Sequence, residues 1–168
     1  GALLGEHGDP GQAAVHLERA IAIKPDFADA HAAMGNVRML LHDKVAARSS
    51  YEQAARLDPD NAAIHSNLGL LYQSIGMHVA ALKEFQISYR LAPKLQDLLK
   101  NLTSVWIELE HYEAALAFLD SVILGEPDHP EGQKCKGFVL QKIHRPDQAL
   151  GYYQRARALG GGDAELLN

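Results

Sequence analysis

Over residues 62–75 the apolar side chains Ile64, Leu68, Leu71, Tyr72 and Ile75 recur at intervals of three and four residues. That spacing puts them on one face of an α-helix. Gly76 ends the run, because a residue without Cβ takes the left-handed backbone on which many helices terminate. A second helical stretch follows over about 79–91, with Ala81, Leu82, Phe85 and Tyr89 on one side. Pro93 stops it, having no N–H to continue the ladder. The pattern predicts two helices joined by a tight turn, each with one face to bury.

The same pattern is written along most of the chain. Prolines stand at 25, 59, 93 and 127, each 34 residues after the last. Five residues before them are Ala20, Ala54, Ser88 and Val122; earlier come Leu17, Tyr51, Phe85 and Leu119, and then Ala13, Ala47, Ala81 and Ala115. A fifth copy has Ala149, Tyr153 and Ala156, with Gly161 in place of proline. The spacing predicts helix pairs 28–41 with 45–57, 62–75 with 79–91, 96–109 with 113–125, and 130–143 with 147–159. Small residues such as Gly69 and Ala81 are expected to let two helix backbones approach, with Tyr72 and Phe85 around that contact. Gly35, Gly69 and Gly137 repeat the small position, and Thr103 replaces it in the fourth copy. Asp26, Asp60, Asn61 and Asp128 precede first helices and are expected to cap their free N–H groups. Lys94 and Leu95 break that habit. The fourth copy is also the most apolar, with Trp106 and the run ALAFLDSVIL, and is expected to pack differently without forming a site.

Four in-register prolines with matching alanines make the chain similar to the tetratricopeptide repeat (TPR) family, whose period is 34 residues. The resemblance implies an all-α fold, an α-solenoid of antiparallel helix pairs (TPR superhelix), with first helices on a concave face. Residues 1–168 read as one array: a partial copy over 1–27, copies 28–61, 62–95, 96–129 and 130–163, and the start of a further helix at 163–168. Neither end shows a polar capping element, although the outer face of a terminal repeat must be covered. The chain is therefore expected to be a fragment of a longer one. The leucines Leu3, Leu4, Leu166 and Leu167 are expected to drive self-association through the uncapped ends.

Composition narrows the function. The net charge of −5 argues against a general nucleic-acid surface, which needs a basic face to displace counterions. No run of about 18 apolar residues stands in the chain, so no membrane insertion is expected. The 47% hydrophobic and 22% charged profile is that of a soluble chain, and the cytoplasm is the favoured compartment. A single cysteine, Cys135, excludes an internal disulfide and a multi-cysteine metal site.

Catalytic signals are weak. None of the nine histidines has a His partner four residues on, and no metal is expected. His42, His78, His111 and His144 fall near the turns between paired helices, whereas His31 and His65, at the fourth position of their copies, are expected to pack between helices. GGGD at 160–163 lacks the lysine and hydroxyl residue of a phosphate loop and reads as a helix terminator. Glu108 and Glu110, two apart, point to different sides of a helix and are unsuited to paired acid–base chemistry. No enzyme and no cofactor are expected in this segment.

The resemblance places the concave-face positions at Asn36, Met39, Ser66, Asn67, Gln73, Lys100, Asn101, Ser104, Lys134, Cys135, Phe138 and Gln141. Asn67 and Asn101 stand one period apart, as do Lys100 and Lys134. An amide both donates and accepts, so a ladder of asparagines can pair with an extended peptide backbone of any sequence. That ladder is similar to the repeat domain of O-linked N-acetylglucosamine transferases, which HSNLGLLYQSIG also resembles. The carboxylate clamp of chaperone-binding family members is matched at Asn36 and Asn67. Its cations are absent: Ala32, Asp97 and Asn101 stand in their places, so a terminal carboxylate gains no charge-assisted bonds. The expected function is a non-catalytic module that binds an extended peptide or a protein subunit in its concave groove. The alternative is the substrate-presenting array of a larger glycosyl- or sulfotransferase.

Overall fold

The computed structural model describes residues 9–95 and 97–160. Among them are nine α-helices and no strand. The helices are α1 (Pro10–Ile23), α2 (Ala28–Leu40), α3 (Lys44–Leu57), α4 (Ala62–Ser74), α5 (His78–Leu91), α6 (Leu98–Glu108), α7 (Tyr112–Gly125), α8 (Pro130–Lys142) and α9 (Pro146–Ala158). They form two compact units dividing between Leu95 and Gln96. In the first, each helix from α1 to α5 packs on the next; in the second, α6 packs on α7 and α8, α7 on α8, and α8 on α9. The fold class is thus the expected one, all-α with helix pairs stacked as in a solenoid.

The turns inside the pairs share one geometry. His42, Gly76, Glu110 and His144, one period apart, have φ of 59°, 77°, 57° and 60°. The next residue's N–H reaches back to Arg38, Tyr72, Trp106 and Leu140 in turn, each at 2.9 Å. This bond and the left-handed residue before it satisfy carbonyls that the helix end would otherwise leave free. Only Gly76 takes this backbone without strain; a side chain there costs on the order of 1 kcal/mol. Two of the turn histidines, His42 and His144, are therefore left-handed residues of the turn. His78 opens α5, and His111 is the N-cap residue of α7.

At the small position the structure places Phe85 beside Gly69, as expected. The aromatic ring of the second helix lies against the glycine in three copies. A Cβ on Gly69 would stand 2.6 Å from Phe85, one on Gly35 2.6 Å from Tyr51, and one on Gly137 2.7 Å from Tyr153. Those distances are shorter than carbon contacts allow, so glycine admits the ring. The repeated alanines Ala47, Ala81, Ala115 and Ala149 are all buried, as are Tyr51, Phe85 and Leu119. Ala47 and Tyr51 meet Leu68 and Leu71 of the following copy in one apolar cluster. A pair thus closes its core only with its neighbour.

Helix starts depart from expectation in an instructive way. Of the four predicted caps, Asn61 alone acts, its side chain accepting from Ile64 N. Asp26, Asp60 and Asp128 lie one residue too early: the N-cap positions belong to Phe27, Asn61 and His129. His129 caps Gly132 N through its ring, and Asp9 and Asp43 cap the second helices α1 and α3. A different anchor holds three of the first helices. His31 Nε2, His65 Nε2 and Gln133 Nε2 lie 2.8, 2.9 and 2.8 Å from the carbonyls of Pro25, Pro59 and Pro127. All three donors occupy the fourth position of their copies, so His65 does pack at the helix junction as expected, while His31 is less enclosed.

In the fourth copy that anchor position is Leu99, a buried residue without a donor. The predicted helix 96–109 is observed only as Leu98–Glu108, preceded by Asp97 in the left-handed conformation with no side-chain cap. The small–aromatic pair is replaced by Thr103 and Leu119, 1% and 0% exposed. The Thr103 hydroxyl is satisfied by its own helix, donating to Leu99 O at 2.8 Å. Trp106 and Phe118 stack at 4.9 Å between centroids, tilted by 52°, within the range of favourable aromatic pairs. The copy is packed differently, as its apolar run predicts.

Candidate functional site

The predicted concave-face residues separate by unit and by exposure. On α2 and α4 of the first unit, Asn36 is exposed and Asn67 half-buried. The two meet: Asn67 Nδ2 donates to Asn36 Oδ1 at 3.5 Å, and Tyr51 Oη donates to the same oxygen at 2.5 Å. Burial pushes the Tyr51 hydroxyl up to about 12, so it stays a donor through neutral pH. Asn36's oxygen is occupied within the protein, and its amide N–H groups are what it can offer a ligand. Asn67, donating from its nitrogen, keeps its oxygen as an acceptor. One donor and one acceptor side by side match the alternation of a peptide backbone.

Three further predicted residues of this unit have other surroundings. Ser66 is 8% exposed and sits in the core rather than on the face. Met39 packs against the Ala47–Tyr51–Leu68–Leu71 cluster, so its position is at least partly set by the core. Gln73 is half-buried.

In the second unit Lys100 on α6 is exposed, and Lys134 on α8, the helix packed against α6, is half-buried. Asn101 is half-buried, and Ser104 donates to Glu108 Oε1 at 3.3 Å. Phe138 is 41% exposed, with Lys142 Nζ 5.2 Å above its ring, inside cation–π range. Gln141 accepts from Tyr153 Oη at 2.9 Å, as Asn36 does from Tyr51. Asn67 and Asn101 belong to different units. Cys135 is 5% exposed and contacts Glu131 Oε1 at 3.7 Å. Burial above all, against a bond from Thr103, pushes its thiol up to about 12, so it is no thiolate nucleophile at neutral pH.

Sequence reasoning missed the tyrosine hydroxyls that hold Asn36 and Gln141, and the fourth-position donors. Both were visible in principle. Tyr51 and Tyr153 share one copy position, and each of His31, His65 and Gln133 stands six residues after a repeat proline. Among the described residues no group of three or more His, Cys, Asp or Glu side chains could hold a metal ion. No described helix is long and apolar enough to cross a membrane. Leu3, Leu4, Leu166 and Leu167, expected to drive self-association, lie outside the described residues, as does the segment 163–168.

A family model described as TPR repeat matches residues 46–76. Among solved structures, that of MamA is 18% identical, with 91% of this chain and 90% of that chain covered and a TM-score of 0.76. YrrB, described as a TPR protein with an unusual peptide-binding site, is 22% identical over 90% of this chain and 78% of its own, with a TM-score of 0.68. The pilF protein of Pseudomonas aeruginosa is 24% identical over 92% of this chain and 71% of its own, with a TM-score of 0.72. No curated protein sequence matches the chain.

Proposed function

We propose that the chain is a tetratricopeptide-repeat protein, in keeping with the repeat model matched at residues 46–76 and with the fold it shares with MamA and YrrB, and that it is a non-catalytic interaction module whose first helices grip an extended peptide segment of a partner protein. The observation that carries this reading is the Asn36–Asn67 pair, accessible on two successive first helices and steadied by the Tyr51 hydroxyl. YrrB, with its peptide-binding site, makes the reading natural for this fold. On the second unit, Lys100 and Lys134 favour acidic side chains, and Phe138 offers a ring for apolar contact. Asn101 and Gln141 add amides beside them. Asp97 just before α6, Glu108 on α6 and Glu131 on α8 moderate the preference for acid.

The test is a peptide-array screen, followed by titration of the best ligand against two double variants. A net hydrogen bond contributes about 0.5–1.5 kcal/mol. Asn36→Ala with Asn67→Ala should therefore weaken binding by one to a few kcal/mol, with helicity unchanged by circular dichroism. Lys100→Ala with Lys134→Ala should mainly reduce salt sensitivity and the preference for acidic peptides. If both bind like the parent, these faces are only solvated helix surface.

A further inference from the structure

We propose that the edge of the first unit formed by the α2–α3 and α4–α5 turns docks an amphipathic helix of a partner protein, one whose apolar stripe is flanked by acidic residues. Leu40, Leu41, Val45, Met77 and Val79 are all exposed there, Leu40 by 68%, Val45 by 77% and Val79 by 72%. The two turns are neighbours, since Lys44 Nζ donates to Ser74 O at 2.9 Å and so ties the start of α3 to the end of α4. The five side chains therefore line one edge of one unit. Single apolar residues scattered over a surface are ordinary, whereas a group gathered on one edge marks a place where another molecule sits.

The repeat itself does not require these residues. Val45 and Val79 stand one period apart, and Glu113 and Asp147 hold the same position in the next two copies. The position of Leu40 is taken by Ser74, Glu108 and Lys142, and that of Met77 by Asp43, His111 and Arg145. Glu113 and Asp147 are exposed residues in the first turns of α7 and α9, where a carboxylate favours the positive end of the helix. Valine in that place brings no such interaction and has the lower helix propensity. The apolar edge is confined to the first unit, and the helix pairs of the second form without it.

The charges beside the patch select the occupant. Arg48 lies one turn beyond Val45, and Lys83 one turn beyond Val79, both exposed. The nearby carboxylates are committed within the fold. Asp43 accepts from Ala46 N at 3.0 Å and lies 3.8 Å from Arg38. Glu52 accepts from Tyr72 at 2.9 Å and lies 3.6 Å from Arg48, and Glu84 meets His65 at 2.7 Å. Lys44 is held by a carbonyl, which leaves its charge uncancelled. In a chain of net charge −5, an apolar edge rimmed by lysines is complementary to acidic side chains. A helix fits the spacing: helices packed side by side lie about 8–10 Å apart, and a stripe at i, i+3, i+4 and i+7 rises about 10 Å. Addition of a strand is closed, because the described residues offer no sheet edge.

The probe is a phage-displayed library of helical peptides with leucine fixed at i, i+3, i+4 and i+7 and the flanking positions randomised, panned against the intact chain. Glutamate and aspartate should be enriched beside the stripe. The best binder should lose at least tenfold in affinity for Val45→Glu with Val79→Asp, which installs the residue types of the next two copies and should keep the helicity seen by circular dichroism. Asn36→Ala with Asn67→Ala should leave that affinity unchanged, which separates this edge from the peptide-gripping face. Equal affinity for the parent and the valine variant, enrichment of basic flanks, or no binder at all would overturn the proposal. So would a parent dimer in sedimentation that the valine variant abolishes, which would give the edge to a second copy. Pelleting with phosphatidylserine vesicles that depends on the two valines would overturn it as well, giving the edge to a lipid surface.

Discussion

The helix pairs α4–α5 and α6–α7 carry the same repeat at the same spacing and are built differently inside. In the first, Gly69 admits the Phe85 ring, and His65 ties the start of α4 to Pro59. In the second, Thr103 and Leu119 take the ring-and-glycine positions, Leu99 provides no donor, and α6 starts late behind a left-handed Asp97. The α6–α7 pair is also packed less tightly than α4–α5. The repeat is therefore no list of independent preferences. Positions change together: where the glycine is lost, the ring is lost as well, because a Cβ and a ring cannot share the space.

Exchanging those pairs tests this coupling and carries the largest expected effect. Gly69→Thr alone should destabilise the protein by about 1–3 kcal/mol, because the new Cβ forces Phe85 to move. Adding Phe85→Leu, which recreates the Thr103–Leu119 combination, should recover part of the loss. A double-mutant cycle in urea unfolding should give a coupling of roughly 0.5–3 kcal/mol. Additive effects would show that the two positions do not form a unit.

A smaller effect is expected at the helix anchor. Gln133→Leu, which imitates Leu99, removes the bond to Pro127 O and should cost about 0.5–1.5 kcal/mol. Hydrogen exchange should quicken at the first turn of α8 before it does elsewhere. Unchanged exchange there would mean that the fourth-position donor does not hold the start of the helix.

The smallest effect lies in the turns. Glu110→Gly removes a side chain from φ 57° and makes the turn of the fourth copy like that of Gly76. Relief of strain is offset by the greater freedom of glycine in the unfolded chain, so the net gain should be a few tenths of a kcal/mol. Thermal unfolding would register it as a slight rise in Tm, whereas a fall would show that the left-handed turn tolerates a side chain without strain.

The period and the helical spacing of apolar residues determined the helix pairs, the solvated turns and the buried alanines. Each rests on local backbone geometry: a helical stripe, a proline without an N–H, a glycine free to turn left-handed. The late start of α6 was only half legible, since Lys94 and Leu95 announce a missing cap but do not say where the helix resumes. The candidate face was legible as a set of positions, but not as contacts. Only the tertiary structure put Ser66 in the core and brought Asn36, Asn67 and Tyr51 together. It alone placed Glu84 beside His65. Those outcomes depend on which side chains of different helices compete for one space, and spacing along a single chain does not encode the distance between two helix faces until they pack.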